Sequence, residues 1–108
     1  VRWIILPLLA IALASVAGCR VDAQKCDQAC RNMYTLTFWK KLEPELAAAP
    51  ADQRDALRKQ KTDELVKQLA DGMEGCVMRC QSGRDTETVD CLLAAKTADQ
   101  AIACSKSN

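Results

Sequence analysis

Histidine is absent from these 108 residues. Its absence removes the base of Ser-His-Asp and Cys-His arrangements and the commonest nitrogen ligand of metal centres, so most enzyme templates are excluded. Aromatic residues are nearly as scarce, with two Trp, one Tyr and one Phe, and the basic residues are interleaved with acids instead. That pattern argues against a nucleic-acid interface. The four glycines form no phosphate-cradling loop, and they and the three prolines leave few breaks along the chain. No sign of charge dominates: 15 Lys and Arg face 14 Asp and Glu, so no broad field attracts a polyanion or an anionic surface. Strand-like alternation of apolar and polar residues is missing too, which leaves all-α as the fold class. Carboxylate pairs such as Asp63-Glu64 and Glu43-x-Glu45 flank lysines, where ion pairing and solubility explain them. No catalytic group, cofactor or small-molecule substrate is expected.

Cysteine is abundant by contrast, with seven residues. The N-terminal segment sets one of them apart. Arg2 precedes an apolar run from Ile4 to Ala14 that is too short to span a bilayer comfortably and reads as an export signal. It ends in Val16-Ala17-Gly18-Cys19, which resembles the lipobox of bacterial lipoproteins. The resemblance implies cleavage before Cys19 and a diacylglycerol on its thiol, giving a signal peptide over 1–18 and one small domain over 19–108. The alternative is an ordinary signal cut after Ala17, with Ser15 and Ala17 as the small residues the peptidase needs; Cys19 then stays an odd thiol in an oxidising compartment. Arg20 stands where an aspartate would favour inner-membrane retention in well-studied lipoproteins, so the resemblance implies a bacterial envelope location with the outer membrane favoured. Removal of Arg2 with the signal leaves 14 basic residues against 14 acidic ones.

Beyond Cys19 the chain reads as helices. Asp22 can cap a first helix whose inward positions are Cys26, Ala29, Cys30, Met33, Leu36 and Thr37. Pro44 predicts a break or kink, with at most one further turn to Ala49, and Pro50-Ala51-Asp52 predicts a connector with Asp52 as the next N-cap. A second helix follows to near Cys80, with a stripe of Leu57, Leu65, Leu69, Met73, Cys76, Val77 and Cys80. Its solvated face offers the i,i+4 pairs Asp55–Lys59 and Asp63–Lys67. Gly72 and Gly75 weaken that helix, and close approach by Tyr34 is one reason to keep a glycine. Gln81-Ser82-Gly83-Arg84 signals a turn, and Asp85 or Thr86 can cap a third helix. Thr97-Ala98-Asp99-Gln100 matches a capping box for a short fourth.

The remaining cysteines fall as Cys26-x3-Cys30, Cys76-x3-Cys80 and Cys91-x12-Cys104. Cysteines four apart on a helix run parallel on one face, so each must look across to another element. In an antiparallel hairpin Cys26 faces Cys80 and Cys30 faces Cys76, and both pairs of numbers sum to 106. That register puts the turn near residue 53, where the Pro50 connector stands independently. Cys91 with Cys104 then closes a short C-terminal hairpin packed on the first. The twin CxxxC hairpin resembles the small translocase chaperones of the mitochondrial intermembrane space, although residues 31–75 separate the motifs here where that family has a much shorter insert. The resemblance implies a client-holding activity. Two other uses of the thiols are a metal or iron-sulfur site on Cys26, Cys30, Cys76 and Cys80 and a redox-active pair; the export signal and the absence of CxxC argue against both.

Tyr34, Phe38 and Leu42 form one row on the first helix and Leu36 and Trp39 an adjacent one, a wider apolar surface than a two-helix seam needs. Val89, Leu92, Leu93 and Ile102 can cover it; where they do not, Phe38 or Trp39 is the candidate anchor for a protein partner. The functional expectation is a non-catalytic, lipid-anchored envelope module whose partners are the membrane, through Cys19, and another envelope protein. A chaperone or pilot lipoprotein is the alternative, with a groove lined by Leu36, Met73 and Val77.

Overall fold

The computed structural model describes residues 21–106; the expectations for the signal over 1–18 and for Cys19 lie outside the described residues. Four α-helices and one short 3-10 turn follow in order: α1 (Ala23–Ala48), the turn (Ala51–Gln53), α2 (Arg54–Gly83), α3 (Thr86–Ala94) and α4 (Ala98–Lys106). Helices α1 and α2 form an antiparallel hairpin, α3 and α4 pack mainly against α1, and no strand occurs among the described residues.

The caps are locally encoded. Asp22 accepts the Gln24 N–H at 3.3 Å and Asp85 accepts the Thr88 N–H at 2.9 Å, each satisfying a donor that a helix start leaves open. At α4 the Thr97 hydroxyl accepts the Gln100 N–H at 3.2 Å, but the Gln100 side chain reaches the N–H of Lys96, not of Thr97. The box has therefore widened by one residue, which is possible because Lys96 lies outside the helices, ahead of α4.

Four local expectations are corrected in whole or in part. Helix α1 is not broken at Pro44; it continues to Ala48, within the one further turn expected beyond the proline. A proline removes its own N–H from the ladder and crowds the carbonyl four residues back, but here it is exposed and near the helix end, and the turn beyond it is held from outside. The Arg54 guanidinium donates to Ala49 O at 3.0 Å and Ala47 O at 3.3 Å, and Lys61 of α2 pairs with Glu45 at 3.6 Å. Asp52 does not cap α2; it sits inside the 3-10 turn closed by Gln53 N–H to Pro50 O, and Gln53 precedes α2 without a side-chain cap. The pairs Asp55–Lys59 and Asp63–Lys67 do not form; Lys61, with Glu64 at 3.4 Å and Glu45, carries the ion pairing of α2. Helix α2 also runs through the turn signal to Gly83, and Arg84 takes the left-handed conformation at φ 55° and ψ 22°.

Three disulfides join the elements: Cys26–Cys80, Cys30–Cys76 and Cys91–Cys104, with Cα separations of 5.7, 6.1 and 5.7 Å. The register they set extends up the hairpin. A Cβ on Gly72 would lie 3.0 Å from the Tyr34 hydroxyl, and Glu45 meets Lys61; both pairs again sum to 106. Tyr34 therefore does account for Gly72, whereas Gly75 faces only the flexible end of Arg79.

The core is built from short side chains. Of its eleven buried hydrophobic residues, seven are Ala or Cys: Cys26, Ala29, Cys30, Ala95, Ala98, Ala101 and Cys104. Small residues let helix backbones approach closely but bury little apolar area, so hydrophobic transfer alone gives a modest return. At the base of the hairpin Val21, Cys26, Ala29 and Val89 form a cluster joined by Val77, Cys80, Leu92 and Leu93. The Cys26–Cys80 bridge lies inside this cluster, so covalent and apolar contacts coincide at the base.

Candidate interaction surface

Phe38 and Trp39 are consecutive on α1, 100° apart around the helix, and so serve opposite neighbours. Phe38 is 8% exposed, on the α2 side, beside an open groove of about 330 Å³ whose α2 wall is Glu64 and Gln68. Trp39 is half-buried on the α4 side, with its ring 5.3 Å from that of Phe38 in an edge-to-face arrangement at 87°. With Leu36 it borders a second open groove of about 350 Å³, closed on the far side by the α3–α4 connection and the start of α4. Lys40 and Asp99 bridge the edge of that groove at 3.5 Å. Of the two candidate anchors, Phe38 is occupied by the fold, while Trp39 keeps accessible ring.

The C-terminal hairpin covers α1 differently from expectation. Val89, Leu92 and Leu93 do pack toward the base of the hairpin, but Ile102 is 41% exposed. The bridge from Cys104 to Cys91 fixes the rotation of α4 and turns Ala98, Ala101 and Cys104 inward, which puts Ile102, two residues from Cys104, on the outer side. Asn32, which sequence reasoning missed, holds this unit in place. Its amide donates to Leu92 O at 2.7 Å and Ala95 O at 3.0 Å, two carbonyls left open at the end of α3. The only signal in the sequence was a polar residue between the inward positions Ala29 and Leu36.

Leu36, Met73 and Val77 do not share a groove. Leu36 borders α4, Val77 joins the base cluster, and Met73 lies with Val66 and Leu69 on the open flank of α2. That helix also carries the two most exposed large apolar side chains, Val66 at 59% and Met78 at 61%. All six cysteines among the described residues are consumed in bridges, and no cluster of three or more acidic or thiol groups there is placed to hold a metal ion. No helix among the described residues is long and apolar enough to cross a membrane.

No protein-family model, curated protein or solved structure matches the chain. The likeness to twin-CxxxC chaperones therefore rests on the motif and the hairpin pairing alone.

Proposed function

We propose that the chain is a non-catalytic module of the bacterial cell envelope, anchored by acyl chains on Cys19 after removal of residues 1–18, which presents a disulfide-stapled helical hairpin to another envelope protein. The observation that carries this reading is the complete pairing of the six downstream cysteines, which leaves Cys19 as the one cysteine with no partner among the described residues. A lipobox-like sequence supplies a use for that thiol. The three bridges are also consistent with an oxidising compartment such as the periplasm or cell surface, and Arg20 favours the outer membrane. The groove beside Trp39 and Leu36 is the contact surface under this reading. Leu36 and Trp39, set among charged residues there, also support the chaperone or pilot alternative, in which the groove holds an apolar segment of an envelope component.

Mass spectrometry of the membrane-extracted protein before and after reduction tests the reading. A diacylglycerol mass on an N-terminal peptide beginning at Cys19, and a gain of two hydrogens for each of three bridges, is the expected result. An unmodified Cys19 in a protein released from membranes by salt alone refutes the anchor.

A further inference from the structure

We infer that the disulfide end of the hairpin rests on phospholipid headgroups, with Met78, Arg79 and Arg84 at the end of α2 as the contact. The inference rests on the proposed acylation of Cys19. Between that residue and the folded core stands Arg20 alone. Val21 is 4% exposed and locked into the base cluster, so two peptide steps, about 7 Å at full extension, connect the anchor to the core. So short a tether cannot hold the domain away from the surface that the acyl chains enter.

The end of α2 lies at that same place. Val77 and Cys80 pack with Val21, and the Cys26–Cys80 bridge ties the last turns of α2 to the first turn of α1. Met78 lies between them in sequence and is 61% exposed. Arg84 and Lys25 are exposed at this end, as is Arg79, whose flexible guanidinium rests over Gly75 one turn back along α2, and none has a carboxylate partner among the described residues. Two of the nearby acids, Asp22 and Asp85, are turned onto the backbone N–H groups they cap, leaving Glu87 and Asp90 as exposed acids on α3. From Val77 to Arg84 the chain holds two arginines and no acid. Cations with an apolar side chain between them suit a phosphate-bearing interface, where the thioether enters the headgroup region and the guanidinium groups bind phosphate oxygens. The contact is confined to the last turns, because the row running back from Met78 passes through Glu74 and Asp71. The hairpin therefore stands up from the surface instead of lying along it.

The test uses the mature acylated protein with Met78→Trp, reconstituted into vesicles of anionic phospholipid with brominated acyl chains. Emission in the variant is expected to be quenched at least about twofold more than in the unsubstituted protein, whose Trp39 stands about 24 Å further along α1 from its first residue. Adding Arg79→Glu and Arg84→Glu to that variant is expected to return quenching toward the level of the unsubstituted protein, with helicity by circular dichroism unchanged. Equal quenching with and without Met78→Trp, in protein that floats with the vesicles and carries the acyl mass, overturns the contact and leaves the anchor standing. Protein that neither floats nor carries the acyl mass overturns the anchor and the contact with it. Quenching unaffected by the two glutamates overturns the role given to the arginines.

Discussion

Replacing Cys30 and Cys76 by alanine removes the inner of the two bridges between α1 and α2 and leaves the outer one, Cys26–Cys80, in place. The loops they close have sequence separations of 46 and 54. Taken alone, either bridge restricts the unfolded chain by about 4 kcal/mol at 25 °C on the chain-entropy account. Together they do not supply twice that. Once the outer bridge is closed, the inner one joins points a single helical turn further in on each arm, so it adds only a loop of roughly eight residues, about 2.5 kcal/mol by the same relation. Removing either bridge therefore costs about 2.5 kcal/mol, while removing both costs about 6.5 kcal/mol, roughly 1.5 more than the two single removals combined.

The packing loss does not imitate this pattern. Cys26 and Cys30 are both buried, and alanine leaves a small void at each, one turn apart, whether or not the other bridge is present. Urea unfolding of the four proteins measures the cycle, with m fitted separately for each because an opened unfolded chain exposes more surface. The bridge Cys91–Cys104 supplies the control. Its loop, with a separation of 13, shares no residue with the other two, so its contribution of about 3 kcal/mol adds to either one. A quadruple variant that loses no more than the sum of the two single-bridge variants refutes the nested-loop reasoning.

The two glycines of α2 separate by their neighbours. Gly75→Ala gains about 1 kcal/mol from helix propensity because only the mobile end of Arg79 need shift, whereas Gly72→Ala gains less because its Cβ meets the Tyr34 ring. Combining Gly72→Ala with Tyr34→Leu is expected to recover the full gain in thermal unfolding; equal effects in both backgrounds remove the contact as the explanation. Asn32→Ala leaves the Leu92 and Ala95 carbonyls without their donor and costs about 1–3 kcal/mol, and Asn32→Asp costs more because it turns an acceptor onto them. Urea midpoints in the order Asn32, then Ala, then Asp are the expected result, and an aspartate variant at least as stable as the alanine variant refutes the geometry.

The hairpin was legible because its information is arithmetic. Cysteine positions fix a register, and Tyr34 against Gly72 and Glu45 against Lys61 extend it without any further rule. The C-terminal unit was legible only in outline, since its placement depends on which side of α4 faces α1. That is decided by the Cys91–Cys104 bridge and by Asn32, whose partners lie 60 and 63 residues away. Ile102, as the large apolar residue of α4, is the sequence's candidate to cover α1; the structure uses Ala98 and Ala101, because a short side chain admits the closer helix approach. The unbroken helix at Pro44 has a tertiary cause. Local propensity was read without the tertiary contacts from Arg54 and Lys61, which hold the end of α1 from across the turn.

The candidate site divides along the same line. Phe38 and Trp39 were found together because aromatic residues are rare here, yet only the fold assigns one to α2 and the other to α4. The two proposals then constrain each other. If the base of the hairpin sits on headgroups, Trp39 stands about 24 Å above it, well clear of an interfacial layer that is only several ångströms deep. The groove at Trp39 is then open sideways to a protein held on the same membrane, while Phe38 is closed to it. A hairpin joined by two bridges at its base and tethered through two peptide steps has little freedom to change that height. The position of Trp39 along α1, well short of the turn at Ala51–Gln53, therefore sets the height at which a partner must meet it.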